Sequence, residues 1–146
     1  MQIRRLVNAK DPVLPHMTWT PAWQIGQEVI LSGMTANANM SATLARAPAS
    51  QSDATTPMYQ QCMQVLEKIE SWLEVAGAHR FNVVKTVIYV TDIGMKAEVG
   101  KARRDFFGEH YPLSTLVEVK GLVFPQLLVE IDAWARLDVD IREAIG

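Results

Sequence analysis

The sequence predicts an α+β domain with one mixed sheet and two helices on one of its faces. Two observations carry this. Two segments repeat apolar residues at helical spacing, and six others are short β-branched or aromatic runs bounded by turn residues, in the order β-β-β-α-β-α-β-β. Each helical segment has a single apolar stripe, so each needs one surface to pack on, and a shared sheet face serves both. The 146 residues amount to a single domain over 1–146, large enough to form a core without disulfide or metal support.

The first strand is expected over residues 2–7 and ends before Asp11-Pro12. Two more are expected over 18–25 and 27–33, joined at Gly26-Gln27, with Pro21 placing the first of them at an edge or a bulge. Residues 35–56 are mostly Ala, Ser, Thr and Asn with no sustained period, and they read as a long surface loop. Thr55-Thr56-Pro57 has the chemistry of a helix start. Met58, Cys62, Val65, Leu66, Ile69, Trp72 and Leu73 then form one stripe, and Gly77 supplies the stop. Residues 81–91 are apolar on both faces and fit a central strand. A second helix follows Thr91-Asp92, with Met95, Val99, Ala102, Phe106 and Phe107 inward and Gly108 at its end. Strands over 113–120 and 127–136 complete the sheet, joined by Gly121–Pro125, and residues 138–146 read as a short amphipathic tail.

The last strand divides its residues sharply. Leu127, Val129, Ile131, Ala133 and Ala135 point one way; Leu128, Glu130, Asp132, Trp134 and Arg136 point the other. The second set mixes large apolar groups with charges, as expected of a subunit interface bordering a polar cleft.

Composition narrows the function classes. Net charge is −2, and basic residues are scattered, with only the pairs Arg4-Arg5 and Arg103-Arg104 adjacent, which disfavours a nucleic-acid partner. Cys62 is the sole cysteine and falls within the first helix's apolar stripe, where burial explains it better than chemistry. No apolar run approaches the ~18 residues of a membrane span. The N-terminus lacks the order of a signal peptide, so a cytoplasmic location is expected. His16, His79 and His110 lack metal-ligand spacing, and no metal or organic cofactor is expected.

Five segments, in order and with compatible spacing, resemble the RidA/YjgF family, also labelled endoribonuclease L-PSP. They are Gly26–Gly33, Val84–Asp92, Phe106-Phe107 with Tyr111-Pro112, Val117–Val119 and Leu128–Ala133, and the resemblance runs from about residue 13 to 137. It implies a chorismate-mutase-like fold and a homotrimer with three clefts, each built from two chains. It also implies hydrolysis of reactive enamines and imines, such as 2-aminoacrylate, without a cofactor. A small-molecule substrate or ligand is the implied partner.

Residue by residue, the resemblance assigns water orientation to Glu130 and a cleft aromatic to Trp19. It places Gly33, Met34 and Leu116 at the substrate site. It also exposes two departures: Ser114 stands where the family has the arginine that grips a substrate carboxylate, and Gly100 stands where it has an asparagine. A serine cannot supply the charge-assisted fork of an arginine, so 2-aminoacrylate is not the expected substrate. Arg46, Lys120 and Arg136 are candidate replacement cations, though each also fits a solvated surface charge. The bland alternatives are an interface carboxylate for Glu130, a solvated carboxylate for Asp132, a vestigial cleft wall for Ser114 and Leu116, trimer packing for Trp19, and core or loop filling for Met17, Met34 and Met40. A non-catalytic small-molecule-binding trimer is the competing function. A ribonuclease is the third, weakened by the lack of a basic surface and of an evident histidine pair.

Overall fold

The structure is a computed structural model and describes residues 1–36 and 56–146. The loop expected over 35–56 therefore lies, for 37–55, outside the described residues, as do Met40 and Arg46. The strands are β1 (Ile3–Arg5), β2 (Ala22–Ile25), β3 (Glu28–Leu31), β4 (Met34–Thr35), β5 (Val83–Val90), β6 (Leu113–Glu118) and β7 (Val129–Arg136). The helices are α1 (Pro57–Val75) and α2 (Lys96–Phe107). They form one mixed sheet in the order β1-β2-β3-β7-β5-β6, with β4 also paired to β7.

Topology follows from β7, which runs antiparallel to β3, β4 and β5. Strands β4 and β5 are thus parallel to each other on either side of it, and α1 is the crossover such a connection needs. Strands β5 and β6 are parallel neighbours, and α2 makes the second crossover. The expected stripe of α1 is buried in full: Met58, Cys62, Val65, Leu66, Ile69, Trp72 and Leu73 are each 3% exposed or less. They pack with Val99, Ala102, Phe106 and Phe107 of α2 and with Val129, Ile131, Ala133 and Ala135 of β7. Each large side chain so buried contributes roughly 1.5–3 kcal/mol. Thr56 caps α1 by accepting from the Tyr59 N–H, and Pro57 sits in its first turn.

Several boundaries differ from the sequence reading. Residues 18–21 are not strand. Pro21 has no N–H to give a ladder, and its carbonyl accepts instead from the Ser32 N–H (2.8 Å), while Ser32 Oγ donates to the Thr20 carbonyl (2.6 Å). Arg80–Asn82 form a 3₁₀ turn before β5. Its Asn82 side chain donates to the Val139 carbonyl and so holds the C-terminal tail, which carries a 3₁₀ turn at Ile141–Glu143. Asp92 caps a 3₁₀ turn over Ile93–Met95 rather than α2 itself.

The strand expected over 27–33 covers only Glu28–Leu31, and a further strand that the sequence reading did not expect follows at Met34–Thr35. Ile30 pairs with Trp134 and Met34 with Ile131, so four steps on one strand meet three on the other. One residue is extra, which is a β-bulge. It reverses the in-out alternation: Met34 turns into the core, 5% exposed.

Candidate functional site

The helix-free face of the sheet carries the first half of the site. Thr35 pairs with Glu130, and Glu130 pairs with Tyr89, so Glu130, Asp132 and Tyr89 share this face. Tyr89 Oη donates to Asp132 Oδ2 at 2.8 Å. The bulge lays Gly33 directly against the two carboxylates. A Cβ built on Gly33 would come within 2.9 Å of Glu130 Cδ and Oε2, and within 3.0 Å of Asp132 Oδ1. The missing side chain is what lets the Glu130 carboxylate occupy this position.

Glu130 is half-buried. Burial, and secondarily the negative charge of Asp132, pushes its pKa above the usual glutamate value. The hydrogen bond to Asp132 holds the Tyr89 phenol proton, so that pKa is raised as well. A carboxylate with a raised pKa beside an open surface suits proton exchange with water.

The second half lies on the opposite face, at the edge strand. Ser114 is level with the buried Thr86 of β5, so it faces α2. An open cleft of about 320 Å³ lies here, between β6 and α2. Gly100, Arg103 and Arg104 line it from the helix, and Thr86, Tyr111, Pro112 and Ser114 from the sheet side. Arg103 Nη1 donates to Ser114 Oγ at 3.1 Å.

The expected site residues therefore fall into separate groups. Gly33 lies with Glu130. Ser114 lies in the helix-side cleft, and Leu116, on the same strand face, packs partly against the core. Met34 is core, because the bulge turns it away from the face on which strict alternation places it. Trp19 is 52% exposed and is not part of a strand. Among the described residues Ser114 and Glu130 stand on opposite faces of the sheet, and the cleft beside Ser114 does not include Glu130. Of the candidate replacement cations, Arg136 is paired with Asp138 and Glu28, and Lys120 is exposed on the β6–β7 connection. Arg103 was not among those candidates. Its signal was nonetheless in the sequence: Gly100, Arg103 and Arg104 sit at i, i+3 and i+4, one helix face. Cys62 is buried, which pushes its thiol up to about 12 and makes it inert as a nucleophile.

The family model described as endoribonuclease L-PSP matches residues 10–137. The crystal structure of a Pseudomonas aeruginosa protein of unknown function is 43% identical, with a TM-score of 0.87 and 99% of each chain covered. A YjgF-family protein from Mycobacterium tuberculosis is 32% identical with a TM-score of 0.71, covering 92% of this chain and 99% of that one. A 2-iminobutanoate/2-iminopropanoate deaminase from Salmonella typhimurium is 35% identical over 78 residues, 51% of this chain and 60% of that protein. The chain spans 59% of the length of the first curated relatives it matches.

Proposed function

We propose, for a chain that belongs to the endoribonuclease L-PSP (RidA/YjgF) family, that it hydrolyses a reactive imine or enamine to the carbonyl compound and ammonia. The observation that carries this reading is Glu130, a half-buried carboxylate of raised pKa set against Gly33 on an open sheet face. In its ionised form Glu130 takes a proton from water as the oxygen adds to the C=N carbon. That proton passes to the nitrogen, giving the tetrahedral amino alcohol. Glu130 then takes the proton of the added hydroxyl and delivers it to the nitrogen as the C–N bond breaks, so that ammonia departs and the carbonyl forms from the added oxygen. One water is consumed and one ammonia released, with no net oxidation.

The reading includes a homotrimer. The helix-free sheet face carries a row of Trp23, Ile30 and Trp134 in register, with Trp23 38% exposed, which is apolar surface suited to burial against another copy. Each cleft would then combine the Glu130 face of one subunit with the Ser114 edge of its neighbour, because one chain keeps them apart. The substrate is larger than 2-aminoacrylate, since Ser114 leaves open the space that a strand-borne arginine would fill.

A non-catalytic ligand-binding trimer is the second reading, and Ser114 at that position favours it. Imines generated in place by amino-acid oxidases, from several amino acids in turn, decide between them. Faster imine loss with ammonia release is expected, and Glu130→Ala should lower kcat by roughly 10²–10⁴-fold. Ligand binding without acceleration of any imine would establish the second reading instead.

A further inference from the structure

We infer that Arg103, held by Ser114, is the group that binds the substrate's anionic end, and that this end is a carboxylate presented to α2 rather than to the strand. The inference rests on the deaminase reading for its substrate class. Its geometry stands independently.

The cleft between β6 and α2 contains two guanidinium groups and no acid. Among the described residues, neither Arg103 nor Arg104 joins any ion pair. Lys101 on the same helix is tied to Asp105, and Arg80, Arg136 and Arg142 each hold a carboxylate. Asp105 feels the charge of Arg104 without pairing to it, so two adjacent cations without an ion-pair partner face one cavity, and an anion between them and the strand relieves their repulsion.

Arg103 is also oriented. Among the described residues its one hydrogen bond, to Ser114, uses a single Nη1 proton, which tethers the guanidinium at the strand and leaves its other donors unused. A planar fork with free donors matches a carboxylate in bidentate geometry. Ser114 is thus a positioning residue: its small side chain leaves space for a guanidinium arriving from the helix and accepts a hydrogen bond from it. Gly100 keeps the helix surface open one turn away, where a Cβ would approach Arg104 Nη1 to 3.6 Å. Tyr111 and Pro112 form an apolar wall beside the cations. The chemistry recognised is an imino acid whose side chain lies on that wall.

The test is binding of phenylpyruvate, a keto acid that needs no turnover, measured calorimetrically on the full-length protein. Phenylacetone, which lacks the carboxylate, serves as the control. Arg103→Met should weaken phenylpyruvate binding about tenfold or more, the range for a lost charged hydrogen bond, and Arg103→Lys should retain part of it. Phenylacetone should bind weakly and be indifferent to either change. In imine hydrolysis, Ser114→Ala should raise KM while leaving kcat close to wild type, as expected of a residue that orients a binding group. No phenylpyruvate binding by the wild type, or equal binding by Arg103→Met, would overturn the inference. So would phenylacetone binding as tightly as the acid. The two readings fail separately: absent hydrolysis with Arg103-dependent binding removes only the deaminase, and hydrolysis with an unchanged KM in Arg103→Met removes only this subsite.

Discussion

Gly33→Ala tests the role of Glu130 without altering any ionisable group. The added Cβ would stand 2.9 Å from the Glu130 carboxyl, whereas ordinary contact begins at 3.4 Å. The carboxylate must therefore retreat by about 0.5 Å or more, and misplacements approaching 1 Å can cost on the order of 100-fold in rate. The obstructing atoms belong to the far end of a flexible side chain, so folding should suffer by less than about 1 kcal/mol. The expected result is a fall of roughly 10–100-fold in kcat/KM for imine hydrolysis with a nearly unchanged melting temperature. Native mass spectrometry on the same sample checks that assembly is intact. Full activity in Gly33→Ala, with assembly preserved, would refute the view that the position of this carboxylate matters.

Glu130→Gln should raise the melting temperature at pH 7 while abolishing hydrolysis. The folded-state pKa of Glu130 lies above its ordinary value, so its favourable contribution is complete below about pH 4 and is lost as pH rises through the raised pKa. The gain in the variant should accordingly vanish near pH 4 in a thermal series, and a lower melting temperature at pH 7 would contradict the burial argument. In the wild type, the acid limb of kcat/KM should lie above the usual carboxylate range for the same reason. Gln61→Leu should destabilise the fold by about 2–4 kcal/mol in urea unfolding, because it strands the Leu128 N–H and the Gln126 carbonyl that the Gln61 amide now satisfies. A loss below about 1 kcal/mol would mean that those groups find other partners.

The parts of the fold legible in the sequence are those in which one face is buried and the other is not. The stripe from Met58 to Leu73 and the alternation from Leu127 to Arg136 both record the same core, one at a period of 3.6 and one at a period of 2. Gln61 escaped that reading because a polar residue at 0% exposure is recognised only by its partners, which lie 65 and 67 positions away. Met34, placed at the substrate site by resemblance alone, lies in the core because a one-residue bulge, invisible in the sequence, reverses the alternation that runs on from Leu31. The separation of Ser114 from Glu130 depends on the β5–β6 and β5–β7 registers, which no single strand reveals. Arg103 is marked in the sequence only as half of an adjacent basic pair, and it is the fold that sets it against Ser114.

The most direct test of the two-chain cleft is to mix two impaired proteins, Glu130→Ala and Arg103→Met, unfold them together, refold, and assay with substrate well below the wild-type KM, where the binding defect of Arg103→Met shows in full. If Glu130 and Arg103 serve the same cleft from different subunits, random 1:1 trimers restore about one quarter of the clefts, since each needs an intact Glu130 on one side and an intact Arg103 on the other. Recovery of about a quarter of wild-type activity is the expected result. A mixture as inactive as its components, from subunits shown by mass to have exchanged, would mean that the two halves do not meet across a seam.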